Sequence, residues 1–275
     1  MRGIAKPSAE SGGGGAARSA AAAAHAGALA HDHARSLRET LEEALERHRG
    51  ALVMLCSFQK EESVLLDELI RVGGERFPGQ PIEALCRIVT IDTGVLFEET
   101  LSTWRRFEEH FRVRIDVEDA SAPSIGLEGA WSGPENCCSV AKVAAIDRAL
   151  VGAQGWITGV RREQSPTRAD AMPIERDSAR QIFKYNPLAH WSERDIWRRI
   201  HEHGLPYHPL HDRGYASIGC APCTQPGSGR EGRWAGLEKT ECGLHLPARG
   251  APAGEEQLRA RMQRPAEGSG GVAER

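Results

Sequence analysis

Four short strand candidates rich in apolar residues, closed by polar or glycine-bearing loops and separated by helix-length segments, constrain this chain more than any other feature. They are Ala51 to Leu55, Arg87 to Ile91, Val113 to Val117 and Trp156 to Val160. Between them apolar residues recur at helical spacing. Val64, Leu65, Leu69 and Val72 mark a helix over about Glu62 to Arg71, and comparable patterns cover Leu96 to His110 and Ser139 to Leu150. Leu37, Leu41, Ala44 and Leu45 mark one more helix ahead of the first run. Strands alternating with helices predict an α/β fold, a Rossmann-like parallel sheet flanked by helices. Ligands of such sheets bind beyond the carboxyl ends of the strands, so the loops that leave those ends are where chemistry is expected.

The ends of the chain read differently. Residues 1–30 contain 12 Ala and 6 Gly, and residues 247–275 hold no aromatic side chain. The expected organisation is a low-complexity, disordered segment over 1–33, one domain over 34–246 and a disordered tail over 247–275. A 275-residue chain with 40% hydrophobic and 27% charged residues has the balance of a globular protein. No run approaches the length of a bilayer-spanning helix. Lys and Arg number 35 against 38 Asp and Glu, a net charge of −3, which argues against a nucleic-acid partner. The apolar stretch Ala20 to Ala24 lacks the bulky residues of a secretory signal, and a reducing, cytoplasmic setting is expected. An acid-poor start with Arg2 and Arg18 is also compatible with a transit peptide.

Three strand-end loops carry polar or basic residues. Ser57 to Ser63 joins a strand to a helix, where backbone amides and the helix N-terminus suit phosphate, although an ordinary capped turn looks the same. Asp92-Thr93-Gly94 offers a close backbone approach. Gly159 to Arg168 holds Arg161, Arg162 and Arg168, an arginine density that suits anion binding at a strand end.

The seven cysteines say more. Cys137 and Cys138 are adjacent at the expected start of a helix, and Cys220-Ala221-Pro222-Cys223 follows about 80 residues later. Two pairs make four thiolates, enough for zinc or an iron–sulfur cluster. Adjacent cysteines are not a zinc-ribbon spacing, which favours iron–sulfur. Lys142 lies four positions after Cys138, on the same helical face, where its ammonium would stand near an anionic cluster. Cys242 stands apart in a Gly-flanked segment near Lys239 and His245; local context leaves it open between nucleophile and spare thiol. Cys56 and Cys86 sit in apolar surroundings and read as structural.

Taken together, these segments resemble the adenylyl-sulfate and phosphoadenylyl-sulfate reductase family of sulfate assimilation. The likeness runs from about Leu52 to His245. Its most specific parts are Thr90 to Gly94, Thr158 to Arg168, Tyr207-His208-Pro209-Leu210-His211-Asp212 leading into Ile218 to Cys223, and Glu241-Cys242-Gly243-Leu244-His245. The resemblance implies an adenine nucleotide alpha hydrolase-like fold related to the ATP pyrophosphatases, with a mobile catalytic segment over 225–246. It implies a 4Fe-4S cluster on Cys137, Cys138, Cys220 and Cys223, and Cys242 as the nucleophile. Members with both cysteine pairs generally reduce adenosine 5′-phosphosulfate, so this substrate is expected, with the 3′-phosphorylated one as the alternative.

The implied mechanism is attack of the Cys242 thiolate on the sulfur of the anhydride, expulsion of AMP, and release of sulfite by thioredoxin or a glutaredoxin-like dithiol in trans. Positive charge is needed in the pocket because nucleophile and target are both anionic. Lys142, Arg230 and Arg233 match family positions that supply it. Arg161, Arg162, Ser57, Thr93, Gly94 and Gly159 fall in the matching nucleotide loops. The first loop departs from the pyrophosphatase relatives by lacking their paired glycines. Outside the reductase class, an ATP-consuming adenylyltransferase on the same fold predicts tolerance of Cys242→Ser, and a zinc-binding module predicts colourless protein without iron. Homo-oligomerisation is compatible with the sequence, which does not specify it.

Overall fold

The structure is a computed structural model that describes residues 33, 36–120 and 141–234. Its centre is a six-stranded sheet in the order β3-β2-β1-β4-β6-β5. The strands are β1 (Leu52–Leu55), β2 (Cys86–Asp92), β3 (Asp116–Asp119), β4 (Gly155–Ile157), β5 (Ile174–Asp177) and β6 (Ile182–Tyr185). Every neighbouring pair is parallel except β5 with β6, which form an antiparallel edge. The helices are α1 (36–48), α2 (Lys60–Arg76), α3 (Ile82–Leu85), α4 (Glu98–Phe111), α5 (Lys142–Ala149) and α6 (Glu193–His203).

The central strands are apolar on both sides because both faces are covered. Leu52, Met54, Ile88 and Ile157 enter the larger core with α1, α2 and α6, while Val53, Val89 and Trp156 point the opposite way onto Ile146 and Ala149 of α5. Ser192 caps α6, its side chain accepting from the Asp195 amide, and Gly204 closes the helix in the left-handed region. No helix among the described residues is long and apolar enough to cross a membrane.

The third run is a strand three residues later than its apolar pattern suggests. Val113 and Ile115 are buried in the approach to β3, but the paired residues are Asp116 to Asp119, whose side chains are half-buried or exposed at the sheet edge. The fourth run is shorter than expected, since Thr158 leaves the sheet to begin a loop. The antiparallel β5–β6 pair is an element the hydrophobic pattern does not announce.

The chain adds β2 and β3 on one side of β1, then crosses to place β4 on the other. The carboxyl ends of β1 and β4 are therefore the topological switch point, where a crevice opens in doubly wound sheets.

Candidate nucleotide and sulfur-chemistry site

A cleft of about 190 Å³ opens at that point. The turn after β1 forms its floor. Phe58 holds a positive φ of 61°, unfavourable for a bulky side chain, and its ring is buried against Trp104 and Phe107. Aromatic packing thus holds a bend that a bulky side chain disfavours. The Ser57 hydroxyl donates to Glu62 Oε2 over 3.2 Å, and the Gln59 amide donates to the same oxygen over 3.0 Å, closing the first turn of α2.

Gln59 and Lys60 reach across to the segment that leads to the second cysteine pair. Gln59 Oε1 accepts from the Ile218 amide at 3.0 Å. Lys60, almost wholly buried, donates to the Ala216 carbonyl at 3.0 Å and pairs with Glu193 at 3.1 Å. From the other side Arg233 donates to the Ile218 carbonyl at 3.0 Å, its guanidinium over the Trp234 ring. A side chain on Gly219 would run into that guanidinium.

The loop after β4 is built around one buried ion pair. Arg161 Nε donates to Glu61 Oε1 over 2.9 Å, the two residues being 3% and 4% exposed. The same guanidinium donates to Glu163 and to the Trp191 carbonyl, while Gln164 donates to Glu61 Oε1 and to the Gly159 carbonyl. Gly159 is required by contact: a Cβ there would stand 2.7 Å from Glu62 Oε1 and 3.0 Å from Glu61 Cβ. Burial pushes the Glu61 carboxyl up, but Lys60 and Arg161 overcome it and hold the group down at about 2. Glu62 goes the other way, raised to about 8 by burial and by the charge of Glu61.

The third loop delivers Thr93, whose hydroxyl lies 3.1 Å from Cys220 Sγ, and the Ala221 amide donates to the Val95 carbonyl. Cys220 and Cys223 are buried at the two ends of the short turn Ala221–Cys223. Two soft thiols on one tight turn, one already meeting a hydroxyl, fit the ligand chemistry of an iron–sulfur cluster. Among the described residues no third metal-ligating side chain joins them. Cys137, Cys138 and Cys242 lie outside the described residues. Cys56 and Cys86 are buried in the core and their thiols are pushed up by burial, which suits a structural role.

Of the residues singled out in the sequence, Ser57, Thr93, Gly159, Arg161, Lys142, Arg230, Arg233 and Cys220 line the cleft together. Gly94 and Arg162 do not. The Gly94 amide takes Asp92 Oδ1 in a turn that presents Thr93. Arg162 faces away, donating to the Ala171 carbonyl and to Met172 Sδ. Lys142 stands in the first turn of α5, directly after the helical Ala141, and the expected helix start at Cys138 lies outside the described residues. Sequence reading passed over Gln59, Lys60, Glu61, Glu62 and Gln164 as individuals. The one local signal was Gln59 followed three residues later by Glu62, a helix-start pattern that says nothing about a cleft.

A mostly parallel sheet with a polar crevice at its switch point makes this a doubly wound α/β protein, of the same fold as adenine nucleotide alpha hydrolase-like proteins. Two solved structures share the fold: phosphoadenylyl-sulfate reductase from Candida auris (TM-score 0.56, 23% identity, 69% of this chain and 90% of that one) and yeast FAD synthetase (TM-score 0.54, 17% identity, 72% and 68%). The chain belongs to the phosphoadenosine phosphosulfate reductase domain family, whose model matches residues 51–226. It is 41% identical over 213 residues to the adenosine 5′-phosphosulfate reductase of Anoxybacillus flavithermus, covering 74% of this chain and 86% of the relative. The Lysinibacillus sphaericus adenosine 5′-phosphosulfate reductase is 39% identical over 222 residues, covering 77% and 91%.

Proposed function

We propose that this chain is an adenosine 5′-phosphosulfate reductase of sulfate assimilation, with its catalytic unit over 34–246. The observation that carries the reading is that Cys220 lines the same cleft as the three strand-end loops, its sulfur against Thr93. A simple adenylyltransferase has no use for that thiol there. Relatives at about 40% identity that bear this activity in their names support the choice of substrate.

The nucleotide would lie across the carboxyl ends of β1 and β4, its anhydride toward Lys142, Arg230 and Arg233. These cations offset the repulsion between an anionic nucleophile and an anionic sulfonyl group. The Cys242 thiolate attacks the sulfonyl sulfur; an S–S bond forms, the S–O bond to the phosphate breaks, and AMP leaves with the electron pair. A reduced dithiol protein such as thioredoxin then attacks the Cys242 sulfur, sulfite departs, and the dithiol's second thiol closes a disulfide that frees Cys242. Cys137, Cys138, Cys220 and Cys223 would hold a four-iron cluster, which when bound supplies local electrostatics and fixes the loops around the cleft.

Anaerobic incubation with adenylyl sulfate and no reductant, followed by peptide mapping, tests this. A sulfonate on Cys242 is expected, absent in Cys242→Ser. A cluster-loaded protein that takes no sulfonate from this substrate or its 3′-phosphorylated form would overturn the reductase reading.

A further inference from the structure

Glu62 is a buried carboxyl that lines the cleft, yet the reaction above gives it no part. Its two oxygens have different surroundings. Oε2 accepts from both the Ser57 hydroxyl and the Gln59 amide. Oε1 lies against Gly159, at the junction of the two loops expected to hold the nucleotide, and makes no hydrogen bond among the described residues. An oxygen that accepts two donors behaves as a carbonyl, and an oxygen without a partner is where the proton of a carboxylic acid resides.

We propose that Glu62 is a ligand-binding acid, neutral in the working enzyme, whose Oε1–H donates to an anionic oxygen of the bound nucleoside phosphate. This rests on the reading of the cleft as an adenine-nucleotide site. A carboxylate in the same place would repel that anion across a low-dielectric gap, whereas a carboxylic acid supplies a donor.

The neighbours are consistent with a neutral Glu62. From its own helix it faces Glu61, which keeps its charge, and Lys60, whose ammonium is taken by Glu193 and the Ala216 carbonyl. Cys56, directly after β1, is a thiol pushed up chiefly by burial. Of the loop after β4, Arg161 is committed to Glu61, and Arg168 donates to Gln164. Lys142 stands in the lining of the same cleft. Burial and the adjacent Glu61 therefore decide the balance, and they raise the Glu62 carboxyl to about 8.

Proton and nucleotide then bind cooperatively, and the linkage is reciprocal. The phosphate of AMP ionises near pH 6 and stays dianionic above neutrality, so a change above pH 7 belongs to the protein. The test is calorimetric titration of the full chain with AMP from about pH 7 to 9.5, in buffers of differing ionisation enthalpy, with Glu62→Gln alongside. Affinity is expected to fall by about tenfold per pH unit once pH exceeds that of the carboxyl, with proton uptake approaching one. Glu62→Gln, whatever its affinity at neutrality, is expected to show neither the fall nor the uptake. Flat affinity without proton uptake overturns the proposal, as does a fall that persists in the variant, or no AMP binding at any pH. If the variant does not fold, infrared spectra of wild type labelled at glutamate carboxyls replace it: a protonated-carboxyl stretch must be present at neutrality and vanish with the AMP affinity. AMP binding needs no turnover, so a failed sulfonate test at Cys242 would remove the reductase reading and leave this result intact.

Discussion

The two walls of the cleft both carry cations but use them differently. On the wall made by α2 and the loop after β4, Lys60 and Arg161 are buried and matched by Glu193, Glu61 and Glu163. On the opposite wall, Arg233 is bonded to neutral oxygens, and Lys142 has no carboxylate partner among the described residues. The first wall is a brace whose charge is internally cancelled. Among the described residues, no carboxylate of the second pairs with Lys142 or Arg233, so their charge can act on whatever enters. Arginine in a strand-end loop therefore does not identify an anion contact until its carboxylate partners are known.

The contrast breaks most visibly at Arg161. Arg161→Ala leaves Glu61 buried without its partner and is expected to destabilise the chain by about 3–5 kcal/mol, read by urea denaturation. The same pair has a pH signature. Because the folded-state Glu61 carboxyl is held down at about 2, its contribution is full above the ordinary carboxylate value and is lost as pH falls from about 4.5 toward 2. Stability of the wild type should drop across that window, and Glu61→Gln should flatten the drop.

Lys142→Ala tests the other wall. Its expected effect is kinetic, a fall in kcat/KM of about 10²-fold or more, with stability changed by no more than about 0.5 kcal/mol. A variant that is unstable but fully active would reverse the assignment of the two walls. Gly159→Ala sharpens the boundary between them: the added methyl meets Glu62, at an expected cost of about 1–3 kcal/mol and with weaker AMP binding by calorimetry. The smallest effect belongs to Arg162. Arg162→Ala removes a bond to the Ala171 carbonyl, costs about 1 kcal/mol, and leaves the KM for adenylyl sulfate unchanged in steady-state assay.

These distinctions explain what could be read in the chain beforehand. β1 and β2 were legible because strands buried on both faces are nearly continuous apolar runs, as Leu52 to Leu55 is and Ile88 to Ile91 is but for Thr90. β5 and β6 were not, since Ile174-Glu175-Arg176-Asp177 lies at an edge and needs no such run. In the site, the three loops could be found because each follows a strand. The role of Arg161 could not, because Glu61 lies 100 positions away, and the meeting of Thr93 with Cys220 spans 127. Arg162 illustrates the limit: beside Arg161 in sequence, it points to the opposite side of the loop.

The turn after β1 is tied to later parts of the chain by Ser63 to the Pro206 carbonyl, Lys60 to the Ala216 carbonyl and Gln59 to the Ile218 amide, over separations of 143, 156 and 159 residues. Contacts so distant in sequence are rewarded only after the intervening chain has been arranged, because loop closure must be met first. The β1–β2 pairing, much more local in sequence, is therefore expected to form before these site contacts. The segment carrying Cys220 and Cys223 is then expected to dock onto a helix end already in place, and hydrogen exchange is expected to show it opening while β1, β2 and β4 remain paired. Such an opening would expose both thiols to solvent without unfolding the domain.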